Sequence, residues 1–239
     1  MATATPAPSG TVDFARCFTF LTEDPDWLKK ILIGGAFSLL CAILIGIPFV
    51  AGYVGRTLKN VASGALRPLP DWDDLGGLFG EGLQLTAVYL LHVLGALAVV
   101  AALGCVAMMP AIAAGGLGAG HARGLADAAG ALSGLAFVAV YGFGMLVSLA
   151  VGAYLPAALV RSALHGSIAD GFAWRENVAF IRANLGNYLL SLVIYLVAAF
   201  AAQFGVILCC VGIFPAAFWS YTVAAAALGQ TVRLNPTSI

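Results

Sequence analysis

Apolar residues in this chain form long unbroken runs rather than alternating with polar ones, and the charged residues mark where the runs stop. Uncharged stretches of 25, 41, 33 and 50 residues separate Lys30 from Arg56, Glu81 from Arg123, Asp127 from Arg161 and Arg182 from Arg233. Each exceeds the roughly 20 residues a helix needs to cross a bilayer. They are apolar on every face, which excludes the period-two pattern of a membrane β-barrel strand. The pattern predicts an all-α, integral membrane helical bundle with four to five main spans, proline-broken helices and two interfacial amphipathic helices. The expected spans run from about Ile31 to Val54, Leu83 to Met109, Ala131 to Pro156 and Asn187 to Leu208, with a shorter fifth segment from Phe214 to Leu228.

Prolines and glycines punctuate these runs. "GIP" at Gly46 to Pro48 removes a backbone donor inside the first span, and should kink or break it. A single kinked crossing is favoured over a re-entrant hairpin on length. The second span is expected to end at Pro110, followed by a Gly-rich link, and "CCVGIFP" interrupts the last run. A weak internal repeat relates "IPFVAGYVGRTLKNVASG" to "FPAAFWSYTVAAAALG" through a proline, a tyrosine and a closing glycine. Small residues four apart, at Gly76/Gly80, Gly116/Gly120 and Gly130/Gly134, suit close helix approach within one chain or between copies.

Two segments carry a helical stripe. Val12 to Leu21 places Phe14, Phe18 and Leu21 on one face, and Asp170 to Leu185 does the same with Trp174, Val178, Ile181 and Leu185. Residues 1–11 read as a disordered tail, 12–233 as one membrane-embedded domain and 234–239 as a short polar tail.

Seven of the eleven acids fall in two short strings that also hold a tryptophan, "TEDPDWLKK" and "LPDWDDLGGLFGEG". Asp24 before Pro25 has the layout of a helix N-cap followed by proline, and Asp71 to Asp74 places carboxylates over a first turn, where orphan amides and the helix dipole favour them. Trp27, Trp72 and Trp174 are expected at the headgroup level. Asp24, Trp27, Asp71, Trp72, Asp74 and Trp174 are therefore the candidate caps and interfacial anchors. Carboxylate oxygens near a headgroup layer could also hold Ca²⁺ or Mg²⁺, but capping accounts for them more simply, and no metal is assigned.

Composition sharpens the membrane reading. Charged residues make up 9% of the chain, against about 25% in soluble proteins. Net charge is zero, which gives nucleic acid no electrostatic footprint. The five cysteines are odd in number, and most lie in apolar runs, so no disulfide framework is expected. Four crossings would split the basic residues five against six, and five crossings four against seven, leaning toward an N-terminus outside the cell.

The strings "FTFLTEDPDWLKKILIGG", "GYVGRTLKNVASG" and "LRPLPDWDDLGGLFGEGL", with the closing Gly229 and Gln230, resemble the prokaryotic multi-pass membrane proteins grouped as domain of unknown function 4013. That resemblance implies a bacterial or archaeal protein of the cytoplasmic membrane. It brings no substrate, reaction or catalytic residue.

No hydrolase, zinc-protease, P-loop or dinucleotide string is present. No enzyme activity and no cofactor are expected. His92 and Gln203 are the candidate intramembrane polar site, because such groups at membrane depth face a partner or a cavity. The expected partners are the lipid bilayer and either a second copy or another membrane protein, with no nucleic acid. The leading functional reading is a non-enzymatic scaffold or assembly subunit, and its rival is a small-solute or ion channel or transporter.

Overall fold

The computed structural model describes residues 10–116, 123–207 and 211–239. All regular elements among them are helical. In order they are α1 (Phe14–Thr19), α2 (Trp27–Leu40), α3 (Gly46–Ser63), α4 (Leu75–Gly116), α5 (Arg123–His165), α6 (Ile168–Gly171), α7 (Trp174–Ala183), α8 (Leu185–Gln203) and α9 (Ile213–Leu234), joined in places by short 3₁₀ turns. The chain divides into two compact units, Met1–Tyr89 with Pro156–Ile239, and Leu90–Leu155.

The first unit is organised around α9, which packs against α1, α2, α3 and α8. Phe218, Val223, Ala226 and Ala227 of α9 are buried together with Phe20, Leu21, Tyr53, Leu78 and Ile194. The unit contains two helical hairpins, α2/α3 and α8/α9. The first corrects the expected kinked crossing from Ile31 to Val54. The chain reverses at Cys41–Ile43, with Leu44 in the left-handed region at φ 67° and its amide donating to the Cys41 carbonyl over 2.9 Å. Pro48 is not the breaking point. It occupies the first turn of α3, where amides lack intrahelical partners in any case.

Pro215 holds the same third position in α9 that Pro48 holds in α3. The two helices pack side by side in parallel, Tyr53 meeting Phe218 at a ring separation of 5.1 Å and Gly64 meeting Arg233. The strings related by the weak repeat are thus the second arms of two hairpins.

Small residues allow the closest contacts. α3 crosses α4 where Gly52 faces Leu78 and Gly82, and a Cβ on Gly82 would overlap the Pro48 carbonyl. The glycine pairs expected to mediate close approach behave differently. Gly76, Gly80, Gly130 and Gly134 have open space on their Cβ side, because the contacts fall on other helix faces. Gly120 lies outside the described residues.

Both long helices continue past their prolines: the apolar stretch of α4 ends at Pro110, as expected, whereas that of α5 runs beyond the expected end at Pro156 to His165. At Pro156 the reason is visible: the Ala157 amide donates to the Tyr188 hydroxyl over 3.1 Å, so a neighbouring helix satisfies the disturbed backbone.

The Leu90–Leu155 unit is an antiparallel pair formed by parts of α4 and α5. Gly144 meets Val100, and the His92 and Tyr154 rings lie 5.5 Å apart. Few of its side chains are buried, Ala107 and Ser133 among them, while Leu97, Leu135, Val138 and Leu149 are exposed.

Among the described residues, three helical stretches are long and apolar enough to cross a membrane: Leu75–Pro110, Asp127–His165 and Leu185–Ile207. The two other expected segments take the form of the short α2/α3 hairpin and the buried α9.

Candidate functional site

Polar side chains of the first unit gather at the open end of its hairpins. Lys30, in the first turn of α2, donates to Asp24 Oδ2 over 2.8 Å and to the Leu69 carbonyl over 3.1 Å, and pairs with Asp71 Oδ1 at 2.8 Å. The Lys30 and Asp24 side chains are only 9% and 3% exposed, so this is a desolvated network, whereas Asp71 is open to solvent. Burial alone would raise the Asp24 carboxyl. Hydrogen bonds from Lys30 and the Asp26 amide outweigh it and hold Asp24 below the usual carboxylate range. Burial likewise opposes the Lys30 charge, and its bonds to Asp24 and Asp71 raise it above the usual lysine value.

Trp72 closes this network from above. Its Nε1 donates to the Lys30 carbonyl over 3.1 Å. Its ring is stacked on Phe37 at 4.8 Å and on Tyr53 at 4.5 Å. The side chain is half-buried against the core rather than free at the surface. Trp27 also packs on that core. Trp174 is the exposed one, with the Arg175 guanidinium 5.3 Å from its ring centre.

The caps divide. Asp74 Oδ1 accepts from the Gly77 amide over 2.9 Å at the start of α4, and Oδ2 takes a 2.7 Å bond from Arg56. The Arg56 bond and the Gly77 amide lower the Asp74 carboxyl. Asp24 instead accepts from the Asp26 amide at 2.9 Å, and Asp26 stands at the N-cap position of α2. Arg56 and Lys59 of α3 both reach Glu81 of α4 at 2.8 Å.

Asn187 fastens the start of the described chain. Its Oδ1 accepts from the Val12 amide and its Nδ2 donates to the Gly10 carbonyl, both at 3.1 Å. Gln230 of α9 accepts from the Asp13 amide at 2.9 Å. Beside these contacts lies a cleft of about 440 Å³ whose polar walls are Asp13, Arg16, Glu23, Gln230 and Arg233. Cys17, next to it, is buried, which together with the Asp13 charge pushes its thiol up to about 12. A thiol so far from ionisation is a poor nucleophile.

The structure brings Asp24, Asp71 and Trp72 together around Lys30. His92 and Gln203 belong to different units. His92 lies beside Tyr154, and Gln203 is exposed, with Nε2 3.5 Å from the Ala199 carbonyl of its own helix. Among the described residues, no group of three or more His, Cys, Asp or Glu side chains is placed to hold a metal ion. The residues missed by sequence reasoning are Lys30, Arg56, Lys59, Glu81 and Asn187. Arg56 and Lys59, three apart at the end of one apolar run, and Glu81, at the start of the next, were the available signal.

Fold and composition together define an all-α membrane protein. The family described as "Protein of unknown function (DUF4013)" matches residues 36–211, well over half of the chain, and the chain belongs to that family. No curated protein and no solved structure matches it significantly.

Proposed function

We propose that this protein is a scaffold or assembly subunit of the prokaryotic cytoplasmic membrane that does no chemistry of its own and binds a second copy or another membrane protein. The observation that carries this reading is the Leu90–Leu155 helix pair. Its long apolar faces are covered by little of the chain itself, and its polar content is slight. In the other unit, the buried or half-buried charges Asp24, Lys30, Arg56, Lys59 and Glu81 are committed to one another in ion pairs. That arrangement stabilises a fixed shape and leaves those groups unsuited to acid–base work.

The channel or transporter reading draws on the paired hairpins with matched prolines, since broken helices in repeated halves mark transport sites in other membrane folds. Reconstitution distinguishes the two. Vesicles containing the purified protein should show no ion, proton or solute flux above empty vesicles, while cross-linking in native membranes should trap a defined partner or a second copy. Flux that is lost in His92→Leu or Gln203→Leu would overturn the scaffold reading.

A further inference from the structure

We infer that the protein lies in the membrane with both ends of its described chain and nearly all its charge on the cytoplasmic side, and that the first hairpin turns back within the hydrocarbon. This inference rests on membrane embedding and is independent of the scaffold reading.

The side-sharing follows from contacts. Lys30 at the start of α2 binds Leu69 and Asp71 of the connector that follows α3, so α2 and α3 begin and end at the same level. Asn187 near the start of α8 holds Gly10 and Val12, and its carbonyl accepts from Thr231 near the end of α9 over 3.4 Å. Asn184 donates to Ser238 over 2.8 Å, bringing the C-terminal residues to the same place. The hairpins α2/α3 and α8/α9 therefore each return to the side they left. Between them, two helices long enough to cross, Leu75–Pro110 and Asp127–His165, carry the chain over and back. An even count throughout puts every Lys and Arg but Arg123, and every Asp and Glu but Asp127, on one side.

This replaces the near-even division of basic residues expected from a single first crossing. The hairpin returns Arg56, Lys59 and Arg67 to the side of Lys29 and Lys30. Basic residues in short loops remain in the cytoplasm, so the N-terminus is inside, opposite to the lean drawn from five crossings.

The tip of the first hairpin has the chemistry of a segment that stays in lipid. α2 has 14 residues, about 21 Å at 1.5 Å per residue, short of a hydrocarbon core about 30 Å thick. Ile43, Leu44 and Ile45 are 61%, 71% and 58% exposed, and residues 39–52 include no charged or hydroxyl side chain. Backbone donors in hydrocarbon need internal partners. The turn supplies them, from Leu44 to Cys41 at 2.9 Å and from Ile47 to Leu44 at 3.4 Å.

Single cysteines at Ile43, Gly124 and Thr237, introduced into a chain whose native cysteines are alanine, test this with a membrane-impermeant maleimide on intact bacterial cells. Gly124→Cys should label from outside. Thr237→Cys should label only after permeabilisation, and Ile43→Cys only after denaturation. Labelling of Thr237→Cys on intact cells would overturn the orientation, and labelling of Ile43→Cys there would overturn the re-entrant turn. Should the alanine background fail to insert, C-terminal fusions to the native chain read the same side: a fluorescent protein should fluoresce, and alkaline phosphatase should be inactive. An active phosphatase would refute the assignment.

Discussion

The two units draw on the same alphabet of Ala, Gly, Leu and Val and use it in opposite ways. In Met1–Tyr89 with Pro156–Ile239, glycines sit where backbones touch, as at Gly52 and Gly82, and charges are paired between elements. In Leu90–Leu155, Gly95, Gly104 and Gly142 face open space, and the formal side-chain charges are two, Arg123 and Asp127. Apolar composition selects the solvent for both. Among the described residues, the first unit adds the glycine-to-backbone contacts and desolvated ion pairs that single out one packing, because lipid supplies no hydrophobic drive between helices.

The largest effect should come from breaking the buried network. Lys30→Met leaves Asp24 without its partner and should cost about 3–5 kcal/mol in denaturation from detergent micelles, the range for an orphaned buried charge. His92→Leu in the other unit, which loses the ring contact with Tyr154, should cost less, about 0.6 kcal/mol, the average measured for a polar contact between membrane helices. The same network sets a pH profile. Asp24 is held low when folded, so its contribution is present above its unfolded value of about 3.9 and is lost as pH falls through the folded one. Lys30 is held high, so its contribution is present below about 10.4 and is lost as pH rises through the folded value. Thermal stability should be flat between those limits and fall on both sides, and Lys30→Met should shrink both limbs.

Next in size is the helix crossing. Gly82→Ala sets a methyl group against backbone and should cost about 1–3 kcal/mol or more, as overpacking does. Asp74→Ala removes a side-chain cap and should cost about 1 kcal/mol. Smallest, and opposite in sign, is Gly104→Ala, where space is open. Replacing a helical glycine there should leave stability unchanged or raise it by up to about 1 kcal/mol. Equal losses from Gly82→Ala and Gly104→Ala would erase the distinction between the units.

The helical membrane class was legible in the charge-free runs, because burial in lipid demands them whatever the packing. The reversal at Leu44 was not, since a turn inside hydrocarbon uses Leu and Ile where a turn in water uses Gly, Asn or Asp. Pro48 misled because a proline early in a run reads as a break whether it sits mid-helix or in a first turn. Trp72 follows an acid string and reads as an anchor, but its indole N–H finds the Lys30 carbonyl, a contact 42 residues away in sequence that no local pattern encodes. Asn187 and Gln230 were hidden for the same reason.

Those last two contacts also order events at the ribosome. Val12 and Asp13 are bound by Asn187 and Gln230, residues 175 and 217 positions later. At roughly 5–20 residues per second, synthesis of that interval takes about ten to forty seconds. The first hairpin must wait in the lipid until the last helix arrives, which makes α9 the keystone of biogenesis and leaves any prematurely ended chain with an unclosed fold.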